Sequence, residues 1–250
     1  MTQDLFRQDA YLRKCSAQLT AVTEAGIVLD RTVFYPLGGG QAGDSGVLVM
    51  ADGAELAIVD TRKGKDAEGN PTSDIVHVPA PGQEALLATL APGTAVTARI
   101  DWERRHRMMR LHTTSHLLCH VVPQLVNGCS ITPDYARLDF AMTDPLDKEQ
   151  LTAAIAALVA AAHPLTVASI SDEELDANPT LVKSMSVQPP RGTGRIRTIR
   201  IGGDGEAPLI DLQPCGGTHV ANTSEIGTVV VTKIEKKSAT TRRVVLGFAP

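Results

Sequence analysis

Asp101-Trp-Glu-Arg-Arg-His-Arg-Met-Met-Arg-Leu-His112-Thr-Thr-Ser-His116-Leu-Leu-Cys-His-Val-Val122-Pro123 is the segment around which the chain organises itself. Asp101 has the side chain of a helix N-cap, and Pro123 cannot continue a helix, so the spacing predicts one helix ending at Val122. Its apolar positions include Met108, Leu111, Leu118 and Val122, interleaved with His112 and Ser115. The histidines therefore lie on or beside the buried face. His112 and His116 are four residues apart, which brings both imidazoles to one side of the helix.

Upstream of this helix the pattern changes. Short apolar runs at 19–22, 26–29, 46–50, 56–59, 74–78 and 95–100 are punctuated by Gly, Asp and Asn. They suit a small β-barrel or sandwich, taken as a barrel-like domain over 1–99, with the polar stretch 64–73 as an exposed loop. Downstream, Asp144-Pro145 marks the start of a second helix with the stripe Leu151, Ile155, Leu158, Val159 and Ala162, ended by His163-Pro164. Segments 165–170, 194–202, 207–212, 226–234 and 242–248 alternate like strands. The expected class is α+β: the barrel, then a domain over 100–250 with an antiparallel sheet packed on two helices.

Composition narrows the function classes. The chain has 250 residues, 43% hydrophobic and only 3% aromatic, so its core must be aliphatic. No apolar run approaches the ~20 residues of a membrane span. The first residues lack a signal-peptide pattern, and a soluble cytoplasmic chain is expected, with a monomer as the working assumption. Cys15, Cys119, Cys129 and Cys215 are sparse and irregularly spaced, which argues against a disulfide framework. The net charge of −4 divides into −5 over 1–98 and +1 over 99–250. The basic residues of the second part cluster: Arg104, Arg105, Arg107 and Arg110; Arg191, Arg195, Arg197 and Arg200; Lys233, Lys236, Lys237, Arg242 and Arg243. Such clusters suit a phosphate-bearing partner or simply a solvated surface.

A second phrase, Cys215-Gly-Gly-Thr-His219, again sets two metal-ligand side chains four residues apart. Together the phrases offer three imidazoles and one thiolate, His112, His116, His219 and Cys215, a natural set for one Zn²⁺. The count does not separate a closed structural site from a catalytic one with a ligand that swings away. His116 with His120, beside Cys119, is an alternative pair. The glutamate of a zinc-peptidase His-Glu-x-x-His phrase is missing, which argues against a peptidase. Phe34-Tyr-Pro-Leu-Gly38-Gly39-Gly40-Gln41 is the other unusual stretch. Its glycines permit positive φ and close approach of a ligand to backbone N–H groups, but it is neither a P-loop nor a dinucleotide fingerprint.

These phrases resemble the editing domain of alanyl-tRNA synthetases and, more closely, the freestanding alanyl-tRNA editing proteins. The likeness rests on His112-Thr-Thr-Ser-His116-Leu-Leu, Cys215-Gly-Gly-Thr-His219-Val, and the glycine-rich stretch followed by Asp44 and Gly46. Arg137-Leu-Asp-Phe140, Gly194-Arg-Ile-Arg197 and Glu225-Ile-Gly227 follow in the family's order, so it covers roughly residues 20–248. Threonyl-tRNA synthetase editing domains share the two metal phrases; the glycine-rich stretch favours the alanyl branch. The resemblance implies hydrolysis of the ester joining a wrong amino acid, serine or sometimes glycine, to tRNA(Ala), acting in trans. It implies one Zn²⁺ held by His112, His116, Cys215 and His219, the first three forming the catalytic centre. Gly38, Gly39 and Gly40 would shape the amino-acid pocket, with Gln41, Thr113, Thr114 and Thr218 as partners for a serine hydroxyl. Arg104, Arg105, Arg107, Arg110, Lys233, Lys236 and Arg243 would meet acceptor-stem phosphates, which position RNA without reading its sequence. Nucleotide and ATP binding also come with the synthetase likeness.

Departures from the family's pattern are Lys236-Lys-Ser-Ala-Thr-Thr241 in place of a glycine-bearing basic turn and Gly128-Cys-Ser130 in place of Gly-Ser; a member without the family's long C-terminal extension is expected, with modest tRNA affinity. Two other readings stay open: a non-catalytic zinc module that binds tRNA or a synthetase, and a metallohydrolase for a small ester or amide.

Overall fold

The computed structural model describes residues 1–189, 194–203 and 208–249. The chain forms two compact units: Met1–Gly38 with Ala42–His106, and Gly39–Gln41 with Arg107–Pro250.

The first unit contains β1 (Gln3–Asp4), β2 (Lys14–Thr23), β3 (Gly26–Leu29), β4 (Arg31–Thr32), β5 (Gly46–Met50), β6 (Glu55–Lys65), β7 (Pro71–Pro79), helix α1 (Glu84–Leu87) and β8 (Ala95–Ile100). β1 and β4 pair in parallel, while β2, β3, β7, β6, β5 and β8 pair in that order and close a barrel. Alternation drives the closure. In β8 every second residue, Val96, Ala98 and Ile100, is buried and joins Leu19, Ile27, Leu29, Phe34, Leu48 and Leu56 in an aliphatic core. The loop expected over 64–73 is shorter than the sequence suggested. β6 and β7 extend into it, Lys65 pairs with Pro71, and only the turn between them remains, tied by Asp66 to Asn70. Polarity there reflects strand faces turned to solvent rather than absence of strand.

Helix α2 (Trp102–Val121) begins in the first unit and continues into the second. The Asp101 carboxylate accepts from the Arg104 N–H, capping its first turn. The second unit then holds β9 (Val126–Ile131), β10 (Tyr135–Ala141), α3 (Lys148–Ala160), β11 (Leu165–Ile170), α4 (Asp172–Ala177), β12 (Ile196–Gly202), β13 (Leu209–Pro214), β14 (Val229–Ser238) and β15 (Thr241–Phe248). Two antiparallel sheets result, β14-β15-β10-β9 and β11-β12-β13. α3 packs on β14, and the Thr152 hydroxyl accepts from the Val231 N–H. The helix starts at Asp147 rather than Asp144, because the Asp147 carboxylate accepts from the Gln150 N–H. The hairpin β9–β10 was not expected; its polar residues Asn127, Ser130 and Asp139 mask the period of two. The sequence put the whole glycine-rich stretch in the barrel domain. Gly39, Gly40 and Gln41 instead pack in the second unit, where the Gly40 carbonyl accepts from Ile131 N–H and Gln41 bridges to Ile131.

Candidate metal centre

α2 delivers His112 and His116 to a buried site from one helical face, and the segment after β13 delivers Cys215 and His219. The four potential ligand atoms lie within 4.8 Å of one another, a group able to hold one metal ion. The Cys215 sulfur is 3.5 Å from His112 Nε2 and 3.3 Å from His219 Nε2. Each imidazole uses its other nitrogen elsewhere. His112 Nδ1 donates to Gln41 Oε1 at 2.8 Å, His116 Nδ1 meets Asp211 Oδ2 at 2.7 Å, and His219 Nδ1 meets Thr113 Oγ1 at 3.2 Å. With Nδ1 held outward on every ring, the Nε2 atoms turn toward the sulfur. His120 is exposed and Cys119 is buried outside the group, so the alternative His116/His120 pair is not assembled.

The braces are themselves braced. Gln41 is fully buried; its Oε1 also accepts from Thr218 N–H at 3.1 Å and its Nε2 donates to Thr218 Oγ1 at 2.9 Å. The Thr113 hydroxyl accepts from Val220 N–H, which ties α2 to the residue after His219. Asp211 takes a further bond from Gln213 Nε2 at 2.8 Å and one from Lys183 Nζ. Arg197 Nη1 donates to the Cys215 and Gly217 carbonyls at 2.5 and 3.1 Å, so this arginine clamps the ligand loop. Two glycines are sterically required. A Cβ on Gly217 would stand 2.1 Å from His112 Cε1. One on Gly40, whose φ is +85°, would stand 2.3 Å from Cys129 Sγ.

The electrostatics separate the four groups. Burial alone would raise the Cys215 thiol, but the His112 and His219 imidazoles hold it well below its ordinary value, which favours the thiolate. Burial and the charge of His112 keep His219 well below the imidazole range, hence neutral and able to donate a lone pair. His116 is penalised by burial, yet the Asp211 carboxylate outweighs this and lifts it to about 9. Asp211 is pulled down to about 2 against its own burial by His116 and Lys183. A buried carboxylate–imidazole pair of this kind makes the imidazole a stronger donor.

The remaining sequence candidates fall in different places. Gln41 bonds His112 and Thr218, and Thr113 bonds His219, so these side chains brace the ligand group. Thr114 donates to the Arg110 carbonyl of the preceding turn. Gly38 sits in the first unit, where its carbonyl accepts from the Tyr35 hydroxyl. Arg105, expected at RNA, is wholly buried. It pairs with Asp44 and donates to the Ala10 and Val33 carbonyls, a core strut of the first unit. Arg104 donates to the Gly43 carbonyl. Arg243 makes two bonds to Asp139, and Lys233 pairs with Glu235. Lys236 is exposed. Arg107 and Arg110 both stand 4.3 Å from the Phe248 ring centre. Arg191 lies outside the described residues.

Sequence reading missed Asp211, Gln213 and Lys183, and gave Arg197 a role only among basic residues suited to phosphate. A signal existed for two of them: Asp211, Gln213 and Cys215 alternate, and on a strand such residues share a face. No local pattern marks Lys183.

Comparison with known proteins agrees with this geometry. The family described as "Threonyl and Alanyl tRNA synthetase second additional domain" matches residues 196–245, and "tRNA synthetases class II (A)" matches residues 8–104. The chain is 31% identical to the alanyl-tRNA editing protein AlaX-M of Saccharolobus solfataricus over 100% of both chains. It is 33% identical to the AlaX-M protein of Methanosarcina mazei, covering 97% of this chain and 95% of that one. It is also 33% identical to the alanine–tRNA ligase of Hyperthermus butylicus, where 94% of this chain matches 24% of the ligase. With such identity sustained from end to end, the chain belongs to the alanyl-tRNA editing protein family.

Proposed function

We propose that this chain is a zinc-dependent hydrolase that cleaves the ester of mischarged tRNA(Ala), with Ser-tRNA(Ala) as its main substrate and Gly-tRNA(Ala) as a second. The observation that carries the reading is the convergence of one sulfur and three braced imidazoles in a buried site. Donors bonded at ~2.0–2.3 Å to one tetrahedral zinc sit about 3.3–3.6 Å apart. The 3.5 and 3.3 Å sulfur–nitrogen separations fit that spacing, and the Cys215 thiolate and the neutral His219 imidazole are in the protonation states such an ion requires, while His116 would release its proton on metal binding. His112, His116, Cys215 and His219 would hold it. When bound, the ion supplies Lewis-acid activation of the ester carbonyl or of water at neutral pH.

The chain's own residues do the rest. Gln41 and Thr113 fix the rings of His112 and His219; Asp211, neutralised by Lys183, fixes His116. An aminoacyl ester is already activated, so holding the reacting groups in place and excluding bulk water lowers much of the remaining barrier. A second site that selects serine is chemically useful, since an apolar pocket rejects one added hydroxyl only weakly.

The test is deacylation of Ser-, Gly- and Ala-tRNA(Ala) by the chain alone, before and after chelation, with metal content measured. Serine release that stops on chelation and returns with zinc is expected. Full-rate hydrolysis by metal-free protein refutes the zinc assignment. No hydrolysis by zinc-loaded protein refutes the enzyme. That second result would favour a binding module, which draws support from the four protein donors, the number found in closed structural sites.

A further inference from the structure

The basic residues of the second unit are not equivalent once their partners are known. Arg243 and Arg137 share Asp139, and Lys233 faces Glu235. Arg107 has only Asp134, 3.9 Å away and with an 84% exposed side chain. Among the described residues Arg110 has no carboxylate partner. The two arginines are three residues apart on α2, and both guanidiniums stack on one aromatic ring, Phe248, at the end of β15. Each is anchored by its Nε alone: Arg107 to the Pro133 carbonyl and Arg110 to the Ile226 carbonyl, both at 2.7 Å. Their Nη groups remain as donors. Room is reserved for them as well, since a Cβ on Gly227 would come within 2.9 Å of Arg110 Nη2.

Partial burial and then the charge of Arg107 make the Arg110 guanidinium less comfortable as a cation. Two cations held side by side with only one distant, exposed carboxylate between them cost free energy that an anion would recover. Their planes are pre-set by the ring and the carbonyl anchors, so little side-chain entropy is lost on binding, and planar paired donors suit phosphate oxygens.

We propose that Arg107 and Arg110, stacked on Phe248, form a phosphate clamp for the backbone of the RNA substrate; this rests on the deacylase reading above. The clamp grips one phosphodiester group or two neighbours and reads no base.

The test uses the zinc-loaded full chain and a tRNA(Ala) transcript, with binding followed by fluorescence anisotropy from about 50 to 300 mM KCl. Each lost phosphate contact should reduce the slope of log K against log salt by about one. Arg107→Gln/Arg110→Gln should bind more weakly, with a slope shallower by about one to two. Arg99→Gln, which removes an arginine already paired with Glu55 in the first unit, should keep the parent slope. Phe248→Leu keeps both charges and should weaken binding with the slope intact. If the double variant melts early, Arg107→Gln alone carries the test, since its side chain is 42% exposed. A parent protein that deacylates Ser-tRNA(Ala) beside a double variant of unchanged slope overturns the clamp and leaves the deacylase reading standing. Loss of slope in the variant, with no hydrolysis by the parent, supports the clamp and overturns the deacylase reading instead.

Discussion

Replacing Gly217 by alanine adds one methyl group where the protein has no space for it. The new carbon would stand 2.1 Å from His112 Cε1, 2.4 Å from its Nδ1 and 2.9 Å from Gln41 Oε1. Ordinary carbon contacts are about 3.5–4.0 Å, so the ring or the loop must retreat by about 1.5 Å. The loop is clamped by Arg197 at the Cys215 and Gly217 carbonyls, which leaves His112 as the group that moves. A displacement of that size breaks its bond to a metal and its bond to Gln41. Losing an outer brace alone weakens a metal site about 10–100-fold, or about 1.4–2.7 kcal/mol, and losing a ligand costs at least that much. The metal-free protein should lose only about 1–3 kcal/mol through overpacking. Zinc affinity is read by competition with a chromophoric chelator and stability by urea unfolding of the metal-free chain. Gly128→Ala is the control, because its added carbon meets only Asp139 Oδ2 at 3.8 Å and should leave both values unchanged. A Gly217→Ala protein that holds zinc within twofold of the parent refutes the claim that this glycine seats His112.

Gln41→Ala should weaken zinc about 10–100-fold and leave the buried Thr218 N–H unpaired, a loss of about 1–3 kcal/mol in the metal-free chain; a rise in KM for Ser-tRNA(Ala) with zinc affinity unchanged would return Gln41 to substrate binding. Asp44→Ala strands the Arg105 guanidinium in the first unit and should cost about 3–5 kcal/mol in urea unfolding; a loss under ~1 kcal/mol would show that the pair is not a strut. His77, wholly buried between the Thr32 hydroxyl and the Ile27 carbonyl, is held down to about 4 chiefly by burial. Its folded pKa lies below the unfolded value of about 6.5, so the unfolded chain takes the proton first. Stability should be whole above about pH 6.5 and fall by roughly 3 kcal/mol as pH drops to about 4. His77→Asn should flatten that slope, and parallel curves for parent and variant would refute the assignment.

Much of the site was legible because its parts are local. The fourfold spacing in each metal phrase, the helix bounded by Asp101 and Pro123, and the six barrel strands follow from periodicity and capping over a few residues, whereas the short pair β1 and β4 does not. Asp211 and Gln213 were within reach of the same reasoning through their alternation with Cys215. The hairpin β9–β10 was not, because its polar residues hide the period of two that burial of Leu138 and Phe140 makes plain.

The basic run before His112 shows where local reading stops. Arg104, Arg105, Arg107 and Arg110 look alike in the sequence. One is sealed in a core by Asp44, 61 residues earlier, one is tied to a backbone carbonyl, and two share an aromatic ring supplied by the last strand. The charge was written in the chain; its availability was not.

Residue chemistry and short-range spacing determined which donors this protein owns and which pairs share a face. Tertiary structure decided that the pairs meet, that Gln41 reaches across 71 residues to His112, and that Asp211 reaches across 95 to His116. The physical reason is range. A hydrogen-bonded turn or pleat links neighbours a few residues apart, whereas a donor cluster needs orientation of every ring, and that comes only from buried partners brought together when the whole chain packs.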